Sequence, residues 1–371
     1  VSDRISLWRN PLEIPLGLRV DEKVVWYLVE SVKSTVDSEP VDASMNLAEG
    51  IINAARDGIE VDIEKTVKNI PRTLSSLDDI LVALAVNRTR PRVTNDAFQD
   101  IDLENPLAEY TTKFNIWKRN RSTNIELVSV HFEGVVIKPG EIFSFNEVTG
   151  PRTYAEGYLP APEYRQGRIV MAPAGGACQV STTIYNAALL AGLEIVERRP
   201  HGRPCGYVPY GRDATVAYGA VDLRFKNTLE HPIILHQRVD RHSAGTITFV
   251  IYGHPDDRVH VEIGNAYSWV ARQESSTRYV IDRSLAPGTQ VVEDEGTNGI
   301  IQRCWRTWFD DEGNELYTEQ ISHDNVRPVG KLIRHNPDGA AETSPSTPST
   351  PSAPSQPERV TPEEEPPSGV F

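Results

Sequence analysis

Residues 173–193 read P-A-G-G-A-C-Q-V-S-T-T-I-Y-N-A-A-L-L-A-G-L. Gly175 and Gly176 lead straight into a run of helical texture, residues 179–191, and Gly192 stops it. Cys178 stands at the expected helix start. Unpaired backbone N–H groups and the helix dipole favour a thiolate at such a place. The same amides can hold an oxyanion. Strand-like runs follow at residues 193–196, 215–225, 232–239 and 246–252, with turn signals between them. A helix surrounded by short apolar strands predicts an α+β fold.

Cysteine hydrolases and transglutaminase-like enzymes join a helix-start cysteine to a His and an acid or amide that arrive later on strands. His201 follows the first strand-like run here, and Asp213 and Asp222 lie farther on. Cys178, His201 and one of the two aspartates therefore have the order of nucleophile, base and orienting group. A plainer reading stands beside this one, since a cysteine at a helix start is more often a small buried residue. Gln179, Ser181, Thr182, Thr183, Tyr185 and Asn186 crowd the same helix. They either supply an oxyanion contact and line a pocket, or satisfy a buried polar network that needs no catalysis.

A second cluster is R-R-P-H-G-R-P-C-G-Y-V-P-Y-G-R-D-A-T-V, residues 198–216. Arginines surround His201 in a chain whose formal net charge is −14. Arg199, Arg203 and Arg212, with Tyr207, are the expected substrate-binding residues, because guanidinium holds a carboxylate bidentately. The plain alternative is a solvated loop whose local ion pairs contribute little. Cys205 in this loop is a candidate redox partner or disulfide partner of Cys178, a pairing that spacing cannot decide.

The acidic balance argues against a nucleic-acid partner. Cys178, Cys205 and Cys304 form no C-x-x-C pair, and the nine histidines are scattered without a ligand pattern. No metal and no cofactor are expected, and no dinucleotide, Walker or G-x-S-x-G pattern is found. The chain has no apolar run of the roughly 18 residues a membrane helix needs. It opens V-S-D-R-I-S-L without a signal-peptide pattern, which leaves two readings: a cytoplasmic protein, or an exported one whose targeting segment, with or without a membrane tether, lies outside this stretch.

At 371 residues the chain predicts two or three domains. Near the start, Ala48, Ile51, Ile52 and Ala55 form a stripe that predicts a helix over residues 43–56. Ile59, Val61 and Ile63 alternate as a strand, Asp62 is placed to cap a helix over 64–70, and a further strand is expected at 81–86. Residues 95–102 read as an acidic loop. Residues 261–334 are strand-rich. From about Asn336 the chain is dominated by Pro, Ser, Thr and Glu, which predicts a disordered tail.

Several motifs in order resemble the VanW domain: F-N-I-W-K-R-N-R-S-T-N-I, K-P-G-E-I-F-S-F-N, G-P-R-T-Y-A-E-G-Y, G-G-A-C-Q-V-S-T-T-I-Y-N-A-A-L, G-R-D-A-T-V and D-L-R-F-K-N. The family pattern has a third glycine and an aliphatic residue before the cysteine, where this chain has Ala174 and Ala177. The first hundred residues resemble the peptidoglycan-binding domain often found before VanW. A-P-G-T-Q-V-V-E-D-E-G-T-N-G, residues 286–299, is similar to the five-glycine module of secreted wall enzymes.

The resemblance implies a mixed domain at 1–105, a VanW core at 106–255 with an antiparallel sheet packed on the Cys178 helix, a small β module at 256–335, and the tail. It also implies an extracellular, cell-envelope setting, with peptidoglycan or muropeptides as partner. Two functions remain open. One is cysteine-dependent amide hydrolysis or transfer on the stem peptide. The other is non-catalytic wall binding or scaffolding.

Overall fold

The computed structural model describes residues 18–19, 21–47, 49–70, 73–74, 83–165, 168–243, 245–271 and 276–338. The chain divides into two compact units, residues 1–96 and 97–371. Both mix helices with mostly antiparallel strands, so the fold is α+β. Among the described residues no helix is long and apolar enough to cross a membrane.

In the first unit, β1 (Leu18–Arg19) pairs with β5 (Thr73–Leu74). Helix α1 (Glu22–Val36) starts at Asp21, whose carboxylate accepts from Lys23 N at 2.8 Å. The sequence reading placed no element there. Helix α2 (Ile63–Asn69) starts where it was expected, with Asp62 accepting from Lys65 N at 2.9 Å. The helix expected over 43–56 is instead a hairpin of β2 (Ser44–Asn46) and β3 (Ile51–Asn53). Gly50 turns it at φ 66°, and Ile51 and Ile52 are exposed, so the apolar stripe had no surface to bury and a helix nothing to gain. β4 (Gly58–Val61) pairs with β6 (Val86–Thr89). Residues 81–82 of the expected strand lie outside the described residues.

The second unit is built around one buried helix. Three segments precede it: β7 (Ala108–Lys113), α3 (Arg119–Ser129) and β8 (Val136–Ile137). After β9 (Ile142–Ser144), Ser144 caps α4 (Phe145–Thr149) by accepting from Glu147 N at 3.1 Å. The hairpin β10 (Pro160–Arg165) and β11 (Arg168–Pro173) leads into α5 (Ala177–Leu190), the helix that the glycine pair predicts. β12 (Glu194–Glu197), β13 (Arg224–Lys226), β14 (Ile233–Asp240) and β15 (Thr246–Tyr252) follow. The order β7-β15-β14-β8 makes one sheet and β12-β13-β9 another. Phe132, Phe145 and Phe249 pack ring to ring in the core with Ile184 and Leu189 of α5.

The expected strand over 215–225 shrinks to β13. The preceding backbone pairs with α5 side chains instead of with a strand: Ala214 O accepts from Ser181 Oγ at 2.6 Å, and Ala214 N donates to Thr182 Oγ1 at 3.0 Å. Those hydroxyls satisfy the peptide groups that a ladder would otherwise need.

The strand-rich C-terminal region joins the same unit. β16 (His260–Val270), β19 (Gly299–Phe309) and β20 (Glu315–Val326) form one sheet. β17 (Arg278–Ile281), β18 (Gln290–Asp294) and β21 (Leu332–His335) form another. Arg306 of β19 donates at 3.0 Å to Leu189 O and Leu193 O, tying that strand to the end of α5 and to the residue after Gly192. Asn336, placed at the start of the expected tail, is bonded in: its N–H donates to Thr289 O at 3.1 Å. Residues 339–371 of that tail lie outside the described residues.

Gly192 ends α5 at φ 75°, and a Cβ there would lie 2.8 Å from the Trp308 ring of β19. The Gly192→Ala protein should therefore lose about 1–3 kcal/mol from left-handed backbone strain and overpacking. Urea unfolding monitored by tryptophan fluorescence checks this, and an unchanged midpoint would remove Gly192 from the contact between helix and sheet.

Candidate functional site

The turn before α5 is made by unusual backbone. Ala174 has φ 62° and Gly176 has φ 121°, both in the region that side chains avoid. Ala174 thus occupies a left-handed position that glycine would take without strain. Gly175 is needed for space, since a Cβ there would meet Ala161 Cβ at 2.9 Å. This turn delivers Cys178 to the first turn of α5. Its N–H finds no acceptor among the hydrogen bonds of the described residues. Its half-buried thiol donates to Val216 O at 3.5 Å.

Asp213 is the buried centre of the loop cluster. One oxygen, Oδ2, accepts from His201 N at 2.6 Å and lies 2.7 Å from His201 Nδ1. The carboxylate thus fixes both the backbone and the ring of His201, and it leaves Nε2 to exchange a proton. The other oxygen lies 3.0 Å from Arg198 Nη2. Arg198 also donates to Asp213 O at 2.6 Å and reaches Asp324 of β20 at 2.5 Å. Asp222, the other aspartate considered, is not at the imidazole. It accepts from Ser144 Oγ at 2.5 Å and Asn146 N at 3.0 Å, and so holds the start of α4.

The Cys205 sulfur lies within 4.8 Å of a His201 ring nitrogen, and both Cys205 and Cys178 act on the charge of that imidazole. All three cysteines are free. Burial pushes the Cys178 thiol up, but the hydrogen bond and charge of His201 outweigh it and bring it below the usual thiol range. Burial pushes Cys205 up, and the nearby Asp213 carboxylate adds to this. Burial also opposes the imidazolium of His201, yet that group is held well above the usual histidine range. Of the groups favouring the charge, the Tyr207 phenol is itself kept neutral by burial, which leaves Asp213 and the thiols. Asp213 lies below the usual carboxylate range: burial opposes this, but His201 and Arg198 prevail. The set favours a thiolate at Cys178 facing an imidazolium at His201. Cys304, wholly buried in β19, is pushed up to about 11 by burial.

The polar residues of α5 are turned inward. Gln179 Nε2 donates to Thr112 Oγ1 at 3.0 Å and Lys113 O at 2.8 Å, which commits the amide nitrogen away from the thiol. Thr183 Oγ1 is 2.8 Å from Thr112 Oγ1. Asn186 donates to Arg212 O at 2.8 Å and accepts from Arg212 Nε at 2.7 Å. Tyr185 is fully buried beneath Arg198, with its hydroxyl unpartnered among the described residues. Together with Ser181 and Thr182, these groups anchor residues 212–216 and so place Asp213.

The arginines singled out in the sequence are mostly occupied. Arg203 pairs with Asp294 at 2.6 Å, Arg212 lies 5.1 Å over the Tyr110 ring, and Arg199 is exposed. Tyr207 meets the His201 ring edge-on at 6.5 Å. The sequence reading missed Arg121 and Arg152, whose charges lie near the Cys178 thiol. The motif R-N-R-S-T-N-I ahead of the turn was the available signal. His201, Cys205 and Asp213 also offer one ligand atom each, all within 4.8 Å of one another, a set that fits a thiophilic divalent ion.

The model of the family described as "VanW like protein" matches residues 120–252. That of the family described as "Putative peptidoglycan binding domain" matches residues 1–80. The chain is similar to "Uncharacterized protein YoaR" of Bacillus subtilis (strain 168), 33% identical over 227 residues, covering 61% of this chain and 74% of that protein. It is also similar to "Vancomycin B-type resistance protein VanW" of Enterococcus faecalis (strain ATCC 700802 / V583), 29% identical over 127 residues, covering 33% of this chain and 46% of that protein. A solved structure, "IgA1 Protease G5 domain structure", is 18% identical with a TM-score of 0.16, covering 22% of this chain and 90% of that one.

Proposed function

We propose, from the premise that the chain belongs to the VanW-like family, that Cys178 forms a thioester with a stem-peptide carbonyl of peptidoglycan. The chain is a peptidoglycan-related protein of the cell envelope, and this reading places the chemistry on the outer side of the membrane. The observation that carries it is the contact between Asp213 and His201 Nδ1 at 2.7 Å, with Cys178 in the first turn of α5 held below the usual thiol range, against burial, by that same imidazole.

In this mechanism the Cys178 thiolate attacks the carbonyl carbon, and the unpartnered Cys178 N–H donates to the developing oxyanion. The C–N bond breaks as His201 Nε2 gives its proton to the leaving amine. His201, now neutral, takes a proton from water or from an acceptor amine as that group attacks the thioester, which frees the product and restores the pair. Asp213 holds the ring in place and stabilises the imidazolium.

The inward-facing hydroxyls of α5 favour a second reading, in which the same network only fixes a wall-binding surface. Mass spectrometry separates the two. The full chain mixed with purified muropeptides and quenched in acid should carry an acyl adduct on the Cys178 peptide, absent from Cys178→Ala. Muropeptides left intact by a chain that still sediments with sacculi would favour the binding reading.

A further inference from the structure

Two guanidinium groups near Cys178 lack the bonded carboxylate partners that Arg198 and Arg203 of the same site possess. Arg152 is held only by neutral acceptors: Thr149 Oγ1 at 2.5 Å, Asn146 Oδ1 at 2.9 Å and Gly150 O at 3.4 Å. Its Cζ lies 5.4 Å from the Phe145 ring centre, so the group is fixed in place; Asp222 and Glu163 act on its charge, but neither bonds to it among the described residues. Arg121, on α3, makes no hydrogen bond and meets no carboxylate among the described residues, although it is half-buried. A Cβ on Gly176 would lie 3.3 Å from Arg121 O and 3.4 Å from Arg121 Cγ. Glycine at 176 thus lets α3 close onto the turn that carries Cys178. The ionisable groups that Arg121 feels are Tyr207, Cys178 and Cys205.

Elsewhere in the unit, Arg198 has Asp213 and Asp324, Arg203 has Asp294, and Arg306 has Glu319. Half-burying an unpaired cation is costly, and in a chain of net charge −14 a carboxylate partner is not scarce. Asp222 and Glu163 act on Arg152, whereas Arg121 faces only the two thiols and the Tyr207 phenol, and the Cys178 thiolate is consumed when the thioester forms.

We infer that Arg121 and Arg152 form a carboxylate subsite beside Cys178, so that the acyl donor is an acidic peptide bearing a free carboxylate close to the reacting carbonyl. This rests on Cys178 being the nucleophile. A guanidinium fork suits a carboxylate in two-point contact, and two forks suit a group that must be held while the amide breaks. The subsite differs from the Arg199, Arg203 and Arg212 cluster expected from sequence.

The test compares iodoacetate with iodoacetamide at Cys178 in the full chain, reading the labelled peptide by mass. Iodoacetate carries the carboxylate and iodoacetamide does not. The ratio of their rates, set against the ratio for free cysteine, should favour iodoacetate by about tenfold, the worth of one charged hydrogen bond. R121Q and R152Q should each lower that ratio, which cancels any change in the thiol's own reactivity, and R121K should keep most of it. In the unaltered chain, N-acetylglutamate should protect Cys178 from iodoacetamide where N-acetylglutamine does not, which needs no variant to fold. A ratio equal to that of free cysteine, or equal protection by the acid and the amide, overturns the subsite. Cys178 inert to both reagents overturns the nucleophile itself, a separate result.

Discussion

Asp213→Ala should cost the unit that contains it about 3–5 kcal/mol, because it strips a buried arginine of its nearest counter-charge. The side chains of Arg198 and Asp213 are only 5% and 8% exposed, so water cannot replace the lost partner. Asp324, at 2.5 Å, still faces Arg198 and sets the expected loss toward the lower end. Asp213 also accepts from His201 N, a bond whose loss leaves a donor without its acceptor. Adding Arg198→Met should recover part of the loss, since the stranded charge is then gone.

The pH dependence has two arms. The depressed carboxyl of Asp213 contributes stability that is present above its unfolded value near 3.9 and lost as pH falls through the lower folded value. The raised imidazole of His201 contributes stability that is complete below about 6.5 and lost as pH rises through its higher folded value. Thermal unfolding of Asp213→Ala should therefore flatten both arms. Curves that run parallel to those of the unaltered chain at every pH would sink the buried ion pair.

Legibility followed punctuation. α5 was readable because Gly175, Gly176 and Gly192 bracket it, and α2 because Asp62 is placed to cap it and Pro71 ends it. β15 spans the run expected at 246–252, with Ile247, Phe249 and Ile251 buried on one face and Val250 buried on the other, which fixes the register. The hairpin at 44–53 was misread because a stripe at positions 48, 51, 52 and 55 fits a helical period, and only tertiary context shows that no surface receives it. α3 went unnoticed for the opposite reason. It buries Ser122 and Asn124 beside Ile125 and Val128, so its inner face looks polar in sequence.

The site shows the same limits. Cys178, His201 and Asp213 could be ordered along the chain, but the choice between Asp213 and Asp222 depends on the loop that Ser181, Thr182 and Asn186 pin down. Arg121 comes from a helix some fifty residues earlier, and it is meaningful only because its partner is missing. No local pattern reports an unmet charge.

His201→Ala should slow iodoacetamide alkylation of Cys178 at pH 7 by about ten- to a hundredfold. Burial alone raises the thiol, and the imidazole is the group that reverses this. Without it, a thiol at or above its ordinary value of about 8.5 is only a few per cent thiolate at neutral pH, against a larger thiolate fraction in the intact pair. The gain in intrinsic nucleophilicity of a more basic sulfur, a Brønsted slope of about 0.4–0.5, returns part of the loss and sets the lower bound. The rate profile of the intact chain should rise through a depressed thiol value and then level. That of His201→Ala should still be climbing above pH 9. Cys205→Ser should leave the depressed value in place, because Cys205 shares the imidazole but titrates in the other direction. A profile that His201→Ala leaves unchanged would mean that the sulfur is set by its carbonyl contact with Val216 and the helix end, and that the imidazole serves the loop alone.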